Sequence, residues 1–281
     1  MDNPLYVVSD KASNFTLLKN GLKHPRAVYD FLRENRRLRM NQKHPFVYSE
    51  DIKSFEKHED FLEYLIGLEY KKNDYLPDLY NSLVKKIETL YGKDKSLSIL
   101  SLEEAISVYL LVLHIKPEIV VETGVSDGMS SFFILSAMNE NQKGNLYSID
   151  LPDVGMPRLY GKEPGWIVND TLRKRWTLIY GKTEVKLQPL LYELKHLDIF
   201  FHDSEHSYSN MRFEFSSALK YMEKGSLLLS DDVRSNSAFQ ELLDIPGFDK
   251  NKLCLLTGRD SDLGALIIND AIKIPYRGQP I

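Results

Sequence analysis

The stretch Val120-Val121-Glu122-Thr123-Gly124-Val125-Ser126-Asp127-Gly128 decides the fold. Its first part, Ile119 to Val121, is an apolar, β-branched run of the kind that fills a buried parallel strand. An acid and two glycines end the run. Met129, Phe132, Phe133, Leu135 and Ala137 then give one apolar side at helical spacing. Strand, glycine turn and helix make the first unit of a nucleotide-binding α/β fold. Glycine lets backbone N–H groups approach a ligand because no Cβ stands in the way.

Spacing narrows the ligand. A dinucleotide turn that began at Gly124 would need glycine at positions 126 and 129, which hold Ser126 and Met129. No Gly-Lys-Ser/Thr closes the turn, so it is not a phosphate loop. What remains is acid-x-Gly-x-x-x-Gly. This resembles the first motif of class I S-adenosylmethionine-dependent methyltransferases, with Ser126 in place of the middle glycine. The resemblance implies S-adenosylmethionine as cofactor. Glu122 would face the cofactor's cationic side, and turn amides from Gly124 to Gly128 would take its carboxylate.

The chain has 281 residues, enough for one large domain or a domain with an appendage. A net charge of −4 gives no broad basic surface, so no nucleic-acid partner is expected. Cys254 is the only cysteine, which excludes an intramolecular disulfide and argues against a thiolate zinc site. Met1-Asp2-Asn3-Pro4 does not open like a secretory signal, and the apolar run Val108 to Leu113 is too short to span a bilayer. The expectation is a cytoplasmic protein without membrane association.

Residues 1–100 are rich in Lys, Glu, Tyr and Leu and poor in glycine. They read as a helical extension, a lid, substrate cover or dimer contact, with segments near Pro25–Met40, Glu50–Lys71 and Tyr75–Tyr91. Residues 101–281 read as the cofactor-binding domain. Ser101-Leu102-Glu103-Glu104 fits a capping box that starts a helix running to His114. Strands follow at Leu146–Ile149, which leads into a loop, at Trp176–Tyr180 and Leu197–Phe201, each followed by a helix, and at Ser226–Ser230, followed by a short helix. Leu253–Leu256 and Leu263–Ile268 are joined too closely for a helical crossover, so they pair antiparallel. The fold class is α/β: a doubly wound, seven-stranded, mostly parallel, Rossmann-like sheet with its last strand antiparallel. Residues 151–170 are rich in Gly and Pro and read as a loop over the ligand, with Trp166 as a lid residue.

Ligands bind beyond the carboxyl ends of such strands. Those ends carry Glu122, Asp150, Asp203, Asp231 and Asp232. Asp150, closing the second strand, suits the ribose hydroxyls of a nucleotide. So many carboxylates on one rim need a counter-charge. The cofactor's sulfonium supplies part of it, and a hard divalent cation, Mg²⁺, on Asp203, Asp231 and Asp232 supplies the rest. His206, three residues after Asp203, has the ordinary pKa of a general base at neutral pH. His202-Asp203-Ser204-Glu205-His206 also spells H-x-x-E-H, a zinc-protease pattern. His202 closes an apolar strand, however, so the two rings are expected to diverge.

The Asp203-to-Tyr208 segment and Gly225-to-Asp232 together resemble the methyltransferases that include macrolide-sugar O-methyltransferases and cephalosporin-hydroxylase-type proteins. That resemblance implies Mg²⁺ on Asp203, Asp231 and Asp232, with Asp203 and His206 as the catalytic residues and His206 the base. It implies S-adenosylmethionine at Glu122, Gly124, Ser126, Gly128, Asp150, Lys182 and Thr183. Lys182 stands where an acid often meets the adenine amine. The implied activity is O-methylation of a small polyhydroxylated molecule. Two other readings remain: an RNA-modifying methyltransferase gripping substrate through Arg33, Arg36, Arg37 and Arg39, or a non-catalytic binding module on the same fold. A homo-oligomer built on residues 1–100 also remains open.

Overall fold

A computed structural model describes residues 36–69, 75–91, 100–151, 162–245, 253–258 and 260–268. The expected helix near Pro25–Met40 falls mostly outside them; within them residues 36–43 are helical (α1). The remaining helices are α2 (His58–Ile66), α3 (Tyr75–Tyr91), α4 (Leu102–Ile115), α5 (Met129–Asn141), α6 (Asp170–Arg173), α7 (Thr183–Leu194) and α8 (Tyr208–Ala218). The strands are β1 (Lys53–Phe55), β2 (Ile119–Thr123), β3 (Asn145–Asp150), β4 (Trp176–Tyr180), β5 (Leu197–His202), β6 (Met222–Ser230), β7 (Leu253–Leu256) and β8 (Leu263–Ile267).

They form one sheet in the order β1-β7-β8-β6-β5-β2-β3-β4. β4, β3, β2, β5 and β6 are mutually parallel, and β8 alone runs against its neighbours. The strand order reverses next to β2, so the crevice that a ligand would fill opens above β2 and β5. Seven strands stand as expected. The eighth, β1, comes from the N-terminal stretch and pairs parallel with β7, Lys53 opposite Cys254 and Phe55 opposite Leu256. The segment read as one helix over Glu50–Lys71 is therefore a short strand followed by α2. Three residues are too few to show a strand period, and only the partner strand defines them.

The sheet divides the core in two. Val120, Leu146, Ile199, Phe201, Leu227 and Leu229 pack on α4 and α5, with Phe61, Leu62 and Leu65 of α2 and Leu83 and Ile87 of α3 behind them. Val121, Ile149, Phe200 and Leu228 point the other way, onto Leu187 and Leu191 of α7 and Met211 and Phe215 of α8. Both clusters come from the two-residue alternation of strands buried on both faces. The capping box at Ser101 forms in both directions, with the Ser101 N–H donating to Glu104 Oε2 at 2.8 Å. β6 reaches back beyond its expected start to Met222, through a register shift against β5. No helix among the described residues is long and apolar enough to cross a membrane.

Candidate active site

The glycine turn leaves β2 and enters α5 with three left-handed residues, Gly124 at φ 85°, Ser126 at φ 50° and Gly128 at φ 96°. Gly124 must be glycine for a second reason. A Cβ there would lie 1.9 Å from the Asp203 carbonyl oxygen, because the chain leaving β5 crosses directly over it. The Asp203 N–H donates to the Thr123 carbonyl at 2.8 Å, so the two loops are one unit. A Cβ on Gly128 would sit 2.6 Å from Gly165 Cα. Residues 165–168 strap the turn from above, the Gly165 N–H donating to the Ser126 carbonyl at 2.8 Å. Ser126 stands exposed at the crest in a conformation that costs a non-glycine residue roughly 1–2 kcal/mol. Trp166, expected as a lid, donates from Nε1 to Asp127, which also accepts from Tyr91 Oη at 2.7 Å. It fastens the strap down.

Glu122 does not face the turn's open side. It is fully buried against α5 and accepts hydroxyl hydrogen bonds from Ser130, Ser131 and Ser148, each at 2.6 Å. Its position in β2 puts it on the same sheet face as Val120, under the first turn of α5. Burial pushes its carboxyl up to about 6 despite the three donors. It ties the start of α5 to β2 and β3. Asp150 lies at the expected place, its Oδ1 accepting from the Val125 N–H at 3.2 Å. Lys182 is exposed at the entry to α7, and the Thr183 hydroxyl is turned toward Asn210 Oδ1 at 3.2 Å.

The ends of β5 and β6 bring the remaining candidates together. Ligand atoms of Asp203, His206 and Asp231 all lie within 4.8 Å of one another. Burial raises the carboxyls of Asp203 and Asp231 well above the usual range; the Asp231 charge raises Asp203 further, whereas the hydrogen bond with Asp203 partly relieves Asp231, which Asp232 raises instead. Glu104, the capping-box acid of α4, adds to the pressure on both. His206 is pushed the other way, down to about 3, by burial first and then by His202 and Arg37. The donor set, carboxylate oxygens and one neutral imidazole nitrogen, fits a divalent ion.

Asp232 stays outside that trio. Its backbone has turned into the left-handed region at φ 50°, its side chain is 51% exposed, and its Oδ2 lies 3.5 Å from His206 Nε2. Beyond the end of β6 the left-handed turn directs Asp232 toward the imidazole. The His202 and His206 rings do not diverge as expected; they meet edge to face at 5.2 Å. Even so, His202 points its Nδ1 at Glu214, 2.6 Å away, and is not part of the trio.

Glu214, on α8, is a residue that the sequence reading passed over. It is fully buried and accepts from Thr123 Oγ1 at 2.5 Å, Ser204 Oγ at 2.7 Å and Asn210 Nδ2 at 3.0 Å, besides its contact with His202. It thus joins the end of β2, the end of β5 and the loop that carries Asp203 and His206. The available signal was an acid interrupting the apolar stripe of Met211, Phe215 and Ala218. Asn41, in α1, was also missed. Its Nδ2 donates to the His206 carbonyl at 3.0 Å, and its Oδ1 accepts from the Tyr208 N–H at 2.9 Å.

Comparison with known proteins agrees with this layout. Residues 121–233 match a family described as a methyltransferase domain. No curated protein matches the chain. Among solved structures, cofactor-bound Rv0187 from MTB is similar at 15% identity, over 75% of this chain and 95% of its own, with a TM-score of 0.51. A protein from Staphylococcus aureus, provisionally named a caffeoyl-CoA O-methyltransferase, is similar at 15% identity over 69% of this chain and 98% of its own, with a TM-score of 0.50. The family match lies over the turn, both acid-bearing strand ends and the strands that surround them, so residues 121–233 are similar to a methyltransferase domain, and the sheet has the fold of the methyltransferase-type structures it resembles.

Proposed function

We propose that the protein is a Mg²⁺-dependent O-methyltransferase acting on a hydroxyl of a small polyhydroxylated molecule. The observation that carries this reading is the trio of Asp203, His206 and Asp231 within 4.8 Å, set against the glycine turn by the Gly124–Asp203 contact. In this reading the backbone from Gly124 to Gly128 and the Asp150 carboxylate hold the methyl donor. Glu122 acts from behind by fixing the start of α5. Asp203 and Asp231 hold the cation. When bound, a divalent ion draws electron density from a coordinated hydroxyl and lowers its pKa.

Burial keeps His206 neutral but lowers its basicity, so in this reading its Nε2 takes the proton only from a hydroxyl already acidified at the site. The Asp232 carboxylate, 3.5 Å from that nitrogen, stabilises the imidazolium that results. Methyl transfer itself needs alignment of donor and acceptor more than covalent help. The acidic net charge of the chain supports a small-molecule acceptor over RNA.

Calorimetry with S-adenosylmethionine and S-adenosylhomocysteine, each with and without Mg²⁺, tests the reading. Micromolar binding of both, with a heat that changes when Mg²⁺ is present, is the expected result. Binding that ignores Mg²⁺, together with no heat from Mg²⁺ alone, would remove the metal from the proposal.

A further inference from the structure

An open cavity of about 440 Å³ lies beside Asp232, lined by Phe46, Tyr48, Arg234, Ser235 and Asp262. Its place along the rim is informative. The strand order puts β3 with Asp150 first, then β2 with the glycine turn, then β5 and β6 with the acid trio, then β8. Asp262 immediately precedes β8, and Arg234 and Ser235 follow Asp232 by two and three residues. The cavity is thus on the far side of the trio from the turn.

The walls of the cavity are unlike the rest of the rim. Phe46 and Tyr48 meet edge to face at 5.2 Å. Arg234 donates from Nε to Asp262 at 2.7 Å, from Nη1 to Tyr48 Oη at 3.3 Å and from Nη2 to the Ser261 carbonyl at 3.2 Å. Every nitrogen of the fork has a partner and its charge is met by Asp262, so the guanidinium is held flat and presents its face. Phenyl, phenol and guanidinium faces recognise flat rings by stacking, and they ask for no particular charge.

Both aromatic rings come from the short N-terminal arm, residues 41–48, which lies outside the matched methyltransferase region. The arm is fixed, not draped. Asn41 clamps the His206 loop, the His44 ring stacks on Tyr208 at 3.6 Å, the His44 carbonyl accepts from the Ser237 N–H at 2.8 Å, and the Val47 N–H donates to Gln240 Oε1 at 3.0 Å. Phe46 and Tyr48 are therefore held in place on either side of an anchored residue.

We propose that this cavity is the acceptor subsite, in which Phe46, Tyr48 and the face of Arg234 take a flat, hydroxylated ring and so choose the substrate. The assignment rests on the methyltransferase reading above. Dihydroxycoumarin is a suitable probe because it is flat, carries a vicinal diol and fluoresces; a methyl hexopyranoside carries the same diol on a puckered ring. Titration of dihydroxycoumarin into the full chain with Mg²⁺ and S-adenosylhomocysteine gives its Kd directly. Phe46→Ala and Tyr48→Ala are each expected to weaken that binding about tenfold, the scale of one lost stacking contact. Tyr48→Phe retains it to within about twofold.

S-adenosylhomocysteine binding, measured separately by calorimetry on the same variants, stays unchanged. A wild-type protein that fails to bind dihydroxycoumarin, alanine variants that bind it as well as wild type, or equal competition by the methyl hexopyranoside would each overturn the subsite. Loss of S-adenosylhomocysteine binding in the wild type would instead overturn the cofactor reading.

Discussion

Glu122 and Glu214 are both buried to the last atom, and they stand on opposite faces of the same sheet. Glu122 lies under α5 and meets three neutral hydroxyls. Glu214 lies on the α8 side and meets two hydroxyls, an amide and an imidazole. Burial pushes both carboxyls up. For Glu122 the hydroxyls do not overcome it, and the carboxyl settles at about 6. For Glu214 the His202 charge and the donated hydrogen bonds win, and the carboxyl is held below its usual value. Donors alone make a buried carboxylate tolerable; a cation beside it makes the carboxylate favourable.

That difference sets how much each glutamate contributes. Glu214→Gln has the largest expected effect. The Thr123 and Ser204 hydroxyls can turn to accept from the new amide, so the main loss is the counter-charge of His202. A loss of about 3 kcal/mol is expected, seen as a lower urea midpoint with an unchanged slope. The loop of Asp203 and His206 hangs on the same carboxylate through Ser204, so the proposed Mg²⁺ binding is expected to weaken as well. Stability within about 0.5 kcal/mol of wild type would show that the imidazole contributes nothing.

The cofactor turn was legible because its signals are local: alternation in β2, glycine where φ turns positive, an acid where the strand stops. The nearness of Asp203 and Asp231 could be read because strand ends fall on one rim, but the expected set had Asp232 where the cluster has His206. Glu214 could not be, since an acid on an exposed-looking helix has the same letters whether it faces water or His202. Only its place beside Met211 and Phe215 hints at burial. Asn41 reaches across 165 residues to His206, and no spacing rule spans that distance. β1 has the same origin, since Lys53–Phe55 is a strand only because β7 offers an edge. Ser126 shows the limit in the other direction. The motif asks for glycine there, and the chain keeps the left-handed turn without it.

The Asp203–Asp231 pair sharpens the comparison, because the hydrogen bonds that lower Asp231 do not overcome its burial and the neighbouring acids. Both carboxyls stand well above their usual range, so the folded protein binds protons that the unfolded chain would release. Stability from these groups is greatest at low pH and falls as pH rises through the raised values. Asp231→Asn removes that repulsion, and the metal-free variant is expected to be more stable than wild type at pH 7 by ~1 kcal/mol. Thermal melts with and without Mg²⁺ make the test two-sided. Wild type gains stability on adding Mg²⁺, as any ligand of the folded state requires, and Asp231→Asn does not. An equal gain in both would place the cation elsewhere.

Glu122→Gln tests the hydroxyl clamp alone. A serine hydroxyl rotates freely, so one of Ser130, Ser131 or Ser148 can turn to accept from the new amide. The lost charge is then the main change. Wild-type Glu122 has a folded pKa of about 6 against an ordinary value of 4.5, so its folded form holds the proton longer. Its contribution to stability therefore declines as pH rises from about 4.5 to about 6 and stays low above that. The full decline is worth up to ~2 kcal/mol. Glu122→Gln has no such decline. Urea midpoints at pH 4.5 and pH 7 should diverge between the two proteins in favour of the variant at the higher pH. Parallel pH profiles would mean that the three hydroxyls hold the carboxylate as well as an imidazole would, and the contrast between the two glutamates would reduce to geometry.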